Sequence, residues 1–250
     1  MEELRQISWK SPPNDLGLVS GQVDVWRVSI ADYPPDSVRW MGSILSAYET
    51  KRADRFHFET DRHRFIVSHT SLRDILSRYL YRSPQDIEIT TGEHGKPAVL
   101  TNTELDFNLS HSGDFALIAV ASGYKVGVDV EKFRHDMEHE KIAHRFFSEH
   151  ENTELRRLPD EQKVTGFFNC WTRKEAYIKA HGLGLLLPLD DFDVSLTPDE
   201  PVILRATRPD IQEAARWTLF SLDIHSEYAG AVAVQGRKLE FRFWEWNPSQ

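Results

Sequence analysis

The chain has 250 residues, 40% of them hydrophobic and 28% charged, and its 39 acidic against 30 lysine and arginine residues give a formal net charge of -9. That composition fits an ordinary folded protein with one large core or two closely docked smaller ones, and the acidic balance argues against a nucleic-acid binder. No apolar run approaches the roughly 20 residues of a membrane helix, and the N-terminus lacks the basic-then-apolar order of a secretory signal, so the expected location is the cytoplasm.

The first predicted element is a strand over 22–30 (QVDVWRVSI), followed by helices between 43 and 81. The stretch from Lys51 to Arg82 is rich in Arg and His within an acidic chain. It is either a solvated helix face or a pocket for a small polyanion. In EHGKP, Gly95 and Pro97 bend the backbone around Lys96, as a plain turn or as a mount for a charge that meets phosphate. A hairpin follows over 105–121, turning at His111 to Asp114. Ser110, His111 and Ser112 are either a turn satisfied by its own hydroxyls or a phosphate-binding histidine. A serine nucleophile is disfavoured, because the triad requires spatial convergence that adjacency does not supply.

A strand over 125–131 comes next. Alternation puts Val126, Val128 and Val130 on one face and Gly127, Asp129 and Glu131 on the other. Two neighbouring carboxylates repel unless a cation, a basic partner or a raised pKa relieves them. They are either ligands for a hard divalent cation, with Gly127 leaving space for its approach, or a solvated strand end with Lys132 and Arg134 as counter-charges. Helices are expected over 139–157 and 162–181. On the second, Trp171, Glu175 and Lys179 share a stripe, so Glu175 either pairs with Lys179 or completes a three-carboxylate site. The lone cysteine, Cys170, has no internal disulfide partner and sits among Phe168, Asn169 and Trp171, which favours a buried thiol. A strand and surface loop are expected over 188–210 and a second hairpin over 217–234.

Strand, helices and hairpin thus occur twice in the same order, with short echoes such as VDVW against VDVE and DRFHFE against HRFFSE. This pattern predicts an α+β protein of two similar halves, 1–123 and 124–250, each an antiparallel sheet packed with helices, with a ligand cleft between them. Both halves lie in one chain, so a monomer is expected.

In order and spacing, GKP at 95–97, NLSHSGD at 108–114, VGVDVEK at 126–132, RFFSEHE at 145–151 and WTRKEAYIKAHGLGLLLPLDDFDV at 171–194 resemble the Sfp-type (group II) 4'-phosphopantetheinyl transferases. The resemblance implies a pseudo-dimer that moves the 4'-phosphopantetheine of coenzyme A to a serine of apo acyl or peptidyl carrier proteins, releasing adenosine 3',5'-bisphosphate. It implies Mg²⁺, or Mn²⁺, held by Asp129, Glu131 and Glu175, with Lys179 against the phosphates. Ser110 and His111 match residues near the coenzyme A 3'-phosphate, Lys96 matches a nucleotide contact, and Arg52 and Arg64 match basic positions gripping the same phosphate. Where the family often carries lysine this chain has Glu49, which shifts the clamp toward Lys51 or Arg52. Glu175 is the candidate base for the serine proton, with Lys179 or a metal-bound water as alternatives. Phe133, Met137, Arg145 and Phe146 are either carrier-docking ground or a buried helix face. Two rival readings are a Mg²⁺-dependent nucleotide phosphohydrolase and a non-catalytic coenzyme A- or carrier-binding protein.

Overall fold

In the computed structural model, which describes residues 7–92, 94–100, 103–208 and 210–248, the first half opens with β1 (Gln22–Ser29). Helices α1 (Val38–Gly42), α2 (Ala47–Ala53) and α3 (Glu59–Leu80) follow. Ser46 caps α2 in a reciprocal box with Glu49, and α3 stops where Tyr81 turns left-handed at φ 51°. Two short strands, β2 (Ile89–Thr91) and β3 (Pro97–Val99), flank the EHGKP turn, and the expected hairpin is β4 (Leu105–Ser112) with β5 (Phe115–Ser122).

The second half repeats the order with β6 (Val126–Lys132), α4 (His139–Phe146), α5 (Glu149–Arg157) and α6 (Asp160–His181). The single helix expected over 139–157 is two. Phe147 is extended, and Ser148 and Glu151 form a second capping box that restarts the helix at a new angle. The 188–210 segment holds two paired strands, β7 (Phe192–Val194) and β8 (Leu204–Thr207), rather than one. The last hairpin is β9 (Trp217–Ser221) with β10 (Tyr228–Gln235), and β11 (Glu240–Glu245) is a strand beyond the expected elements.

Strand order exposes the duplication. The first sheet runs β11-β1-β5-β4 and the second β6-β10-β9, so in each half the leading strand pairs antiparallel with the second strand of the hairpin. Alternation then sorts side chains into layers. Trp26, Val28, Ile118 and Val120 face α3; Val23, Val25, Leu117 and Ala119 meet Val126, Val128, Val130 and Val232 between the sheets; Ala229, Ala231 and Ala233 face α6 with Phe167, Ala176 and Tyr177. The order is helices, sheet, sheet, helices. Cys170 is fully buried beside α6's core contacts and its thiol pKa is pushed well up, first by burial.

The chain end locks the first half. β11 lies parallel to β1, and Arg242 grips the fully buried Asp24 through Nε to Oδ1 at 2.6 Å and Nη2 to Oδ2 at 2.8 Å. Among the described residues no helix is long and apolar enough to cross a membrane.

Candidate active site

The two halves are joined by a polar seam. β6 is an edge strand of its sheet, and an edge leaves backbone N–H groups that need partners. Side chains from one face of β4 supply them. Asp106 Oδ2 accepts from Val126 N at 2.8 Å, Asn108 Oδ1 from Val128 N at 2.9 Å, and Ser112 Oγ from Lys132 N at 3.1 Å. Ser110 and Ser112 also reach side chains, donating to Asp129 Oδ1 and Glu131 Oε2 at 2.8 Å each. The serines therefore do not close their own turn; they bind the carboxylates of the other half.

Gly127, Asp129 and Glu131 share the face of β6 toward α6. The space at Gly127 is taken by that helix: a Cβ there would stand 2.2 Å from Ala176 O and 2.3 Å from Ala180 N. This close approach sets Glu175 and Lys179, one helical turn apart, beside the two strand carboxylates. The ion pair that forms is not Glu175 with Lys179. Lys179 Nζ donates to Asp129 Oδ1 at 2.5 Å and to Ser110 Oγ at 3.0 Å.

The electrostatics are those of an acidic cluster short of cations. Burial first, then the charge of Asp129, raises the pKa of both Glu131 and Glu175, while Lys179 pulls each back down. Asp129 is 3% exposed, and its second oxygen, Oδ2, is buried without a hydrogen-bond partner. As they stand, no three His, Cys, Asp or Glu side chains among the described residues are grouped closely enough to hold a metal ion. The donor chemistry nonetheless fits one. Three neighbouring carboxyl groups and an unsatisfied buried carboxylate oxygen match the all-oxygen preference of Mg²⁺, which keeps water and phosphate oxygens in its remaining positions.

Beyond this cluster the predicted basic residues converge on His111. The residue reaches the surface, yet loss of water around its imidazole, then the positive charge of His69, Lys179, Arg64 and Arg52, pushes its pKa down to about 4. Arg52 lies over the Phe65 ring at 5.2 Å, and Arg64 leans on Asp61 at 3.4 Å. Lys96 is not part of this cluster. It is tied to Asp106 Oδ2 at 2.5 Å and Val126 O at 2.9 Å, at the far end of the seam from Asp129.

Glu49, at the position where the family often has lysine, is a buried structural acid: Arg73 Nε donates to it at 2.6 Å and His69 Nδ1 lies 3.2 Å away. His69 is the cluster residue that sequence reasoning missed. The available signal was helical: Phe65, His69 and Arg73 stand four apart on α3. Asp106 and Asn108 were also missed, although alternation along β4 links them to Ser110 and Ser112. The stretch 133–147 mixes both of its readings. Phe133, Met137 and Phe146 are half-buried, Phe133 stacks on Phe168 at 5.2 Å, and Phe146 meets Trp171 edge-on at 5.9 Å under the exposed Arg145.

Two family models match in tandem, the 4'-phosphopantetheinyl transferase N-terminal model over residues 32–123 and the 4'-phosphopantetheinyl transferase superfamily model over 125–233. The chain is 38% identical over 244 residues to the 4'-phosphopantetheinyl transferase HetI of Nostoc sp., a match spanning 96% of this chain and 99% of that protein. It is 35% identical over 161 residues to the 4'-phosphopantetheinyl transferase Sfp of Bacillus subtilis, spanning 64% and 70% respectively. Among solved structures, a holo-(acyl-carrier-protein) synthase from Bacillus anthracis in complex with CoA (3',5'-ADP) aligns at TM-score 0.36 and 24% identity over 44% of this chain and 93% of that one. The chain belongs to the Sfp-type 4'-phosphopantetheinyl transferases, enzymes that transfer phosphopantetheine to carrier proteins.

Proposed function

We propose that the reaction takes place in the cleft between residues 1–123 and 124–250, where the 4'-phosphopantetheine of coenzyme A passes to a serine of an apo acyl or peptidyl carrier protein. The observation that carries this reading is the meeting of Asp129, Glu131 and Glu175 with the cations around His111, bridged by Lys179 across the seam between the halves. Such a pairing suits a phosphate-rich substrate that needs both a cation site and fixed positive charge.

In this reading the first half grips the nucleotide. Arg52, Arg64, Ser110 and His111 face its 3'-phosphate, and Lys96 contacts it from the end of the seam. The second half does the chemistry. Asp129, Glu131 and Glu175 would hold Mg²⁺, or Mn²⁺, which when bound offsets charge on the pyrophosphate and stabilises the leaving phosphate. Lys179, paired with Asp129 and Ser110, would help neutralise the same oxygens. The carrier serine Oγ bonds to the β-phosphorus, the bond to the bridging oxygen breaks, and adenosine 3',5'-bisphosphate leaves. Glu175 takes the serine proton; it accepts no hydrogen bond among the described residues, whereas Asp129 and Glu131 are each engaged by a serine. The carrier docks over Phe133, Met137, Arg145 and Phe146, an apolar and basic face that adjoins Trp171, one turn before Glu175. Both walls of the cleft come from one chain, which supports a monomer.

Incubation with Mg²⁺, coenzyme A and several apo-carriers, followed by mass spectrometry of the carriers, tests the proposal. A phosphopantetheinyl gain on carrier serine is the expected result. Nucleotide release without carrier modification would favour a phosphohydrolase instead.

A further inference from the structure

The turn between β4 and β5 belongs to the first half of the chain, yet the second half holds it. Gly113 and Asp114 make this turn, and on its own side Ile30 N donates to Asp114 O at 2.8 Å. From the other side Tyr228, 8% exposed at the start of β10, accepts from Asp114 N at 2.9 Å and donates its hydroxyl proton to Asp114 Oδ2 at 3.1 Å. Lys132, which pairs with Tyr228 across the second sheet, reaches the same Oδ2 at 3.0 Å. The fit is close: Gly113 turns left-handed at φ 58°, and a Cβ there would stand 2.4 Å from Tyr228 Oη and 2.8 Å from Lys132 Cδ. Phe115 meets the tyrosine ring edge-on at 5.0 Å and confines it. The side chains of Lys132 and Asp114 are 46% and 48% exposed, so their ion pair contributes little. The buried phenol is the stronger hold on the turn.

We propose that Tyr228 is a positioning residue for phosphopantetheinyl transfer: it clasps the 113–114 turn so that Ser112 stays on Glu131 and fixes the direction of that carboxylate in the cation site. This rests on the reading of Glu131 as a cation ligand. Ser112, two residues before Asp114, donates to Glu131 Oε2 at 2.8 Å and accepts from Lys132 N at 3.1 Å. A serine hydroxyl has one proton to give, and here Glu131 receives it. A carboxylate tied through one oxygen presents the other in a set direction, and hydrogen bonds of this kind to metal ligands govern how tightly the ion is held. Ser112 with Glu131 and Asp114 with Lys132 are thus successive rungs between the turn and β6, and Tyr228 closes the outer one. Without its hydroxyl, Asp114 N and Oδ2 pass to water, the turn loosens from β6, and Ser112 loses its fixed approach to Glu131.

Titration of the full chain with Mn²⁺ in saturating coenzyme A, followed by the electron paramagnetic resonance signal of the free ion, tests the clasp. Ser112→Ala is expected to weaken Mn²⁺ binding roughly tenfold and Tyr228→Phe, one contact further out, roughly fivefold. The double variant should lose no more than Ser112→Ala alone, because the tyrosine acts through the serine; independent effects would multiply to roughly fiftyfold. A tyrosine that only stabilised the fold would lower the melting temperature and leave Mn²⁺ affinity unmoved. If Tyr228→Phe does not fold, Asp114→Ala, at a half-exposed side chain, is read in its place with the same expectation. Unmoved Mn²⁺ affinity, or losses that multiply, overturns the clasp and leaves the cation reading intact. Should Glu131→Gln bind Mn²⁺ as tightly as the unmodified protein, or the unmodified protein bind none, the cation reading fails and the clasp with it.

Discussion

Ser110 of β4 donates to Asp129 of β6 at 2.8 Å, and this bond crosses from one half of the molecule to the other at the point where Lys179 also touches both residues. The seam and the acidic cluster are thus one structure. Asp129 sits at its centre with one oxygen shared and the other without a partner.

Asp129→Ala is expected to lower Mg²⁺-dependent transfer by roughly a hundredfold or more, since a metal carboxylate supplies several kcal/mol of transition-state stabilisation. The fold should survive, because removing one of three mutually repelling acids also relieves Glu131 and Glu175. Carrier modification rates and thermal melting of the same preparation check both halves of this expectation; transfer at the unmodified rate would reject the metal assignment.

Gly127→Ala is expected to damage activity through geometry. The added methyl meets Ala176 O and Ala180 N, which are helix backbone and have no rotamer to escape into. α6 must shift away from β6, at a cost of about 1–3 kcal/mol, and Glu175 and Lys179 move with it. A lower melting temperature together with a fall in kcat, measured side by side, is the predicted signature. An unchanged kcat would mean that the contact between α6 and β6 does not set the site.

The Glu49 carboxyl gives the fold an acid sensitivity. Its pKa in the folded chain, about 2, lies below that of the unfolded chain. The stabilisation it contributes is therefore complete above the ordinary carboxylate range and is lost as pH falls from about 5 toward about 2. Glu49→Gln leaves Arg73 buried without its anion and should cost about 3 kcal/mol near neutral pH. Its melting temperature should also fall less steeply over that acid range than that of the unmodified protein. Parallel curves would show that Glu49 does not carry the acid dependence.

Charge reversal at Arg145, which lies over Phe146 beside Trp171, is expected to act on the carrier alone. For Arg145→Glu, the KM for an acidic apo-carrier should rise roughly tenfold at low salt, with the KM for coenzyme A unchanged. Equal changes in both KM values would place the carrier elsewhere.

Much of this molecule is legible locally. Period-two alternation in VGVDVE separates the valines of the inter-sheet core from Gly127, Asp129 and Glu131, and a four-residue spacing aligns Trp171, Glu175 and Lys179. Repeated order also announces the two halves. These are properties of neighbouring residues, so they survive without any knowledge of the fold. Partner choice between distant segments is different, because it depends on which surfaces the backbone brings together. Lys179 could be paired on paper with Glu175, four residues away, yet it goes to Asp129 because Gly127 lets α6 lie against β6. Glu49 looks like a missing cation until Arg73 and His69, 24 and 20 residues along the chain, are seen to surround it. The β11 stretch alternates Leu239, Phe241 and Phe243 toward the inter-sheet core with Glu240 and Arg242 between them, but its pairing with β1 and the reach of Arg242 to the buried Asp24, 218 residues back, are tertiary. The carboxylates, basic residues and halves were set by the sequence itself. Their pairing was decided by tertiary packing, since burial removes water as the default partner and each charge must then find one within reach.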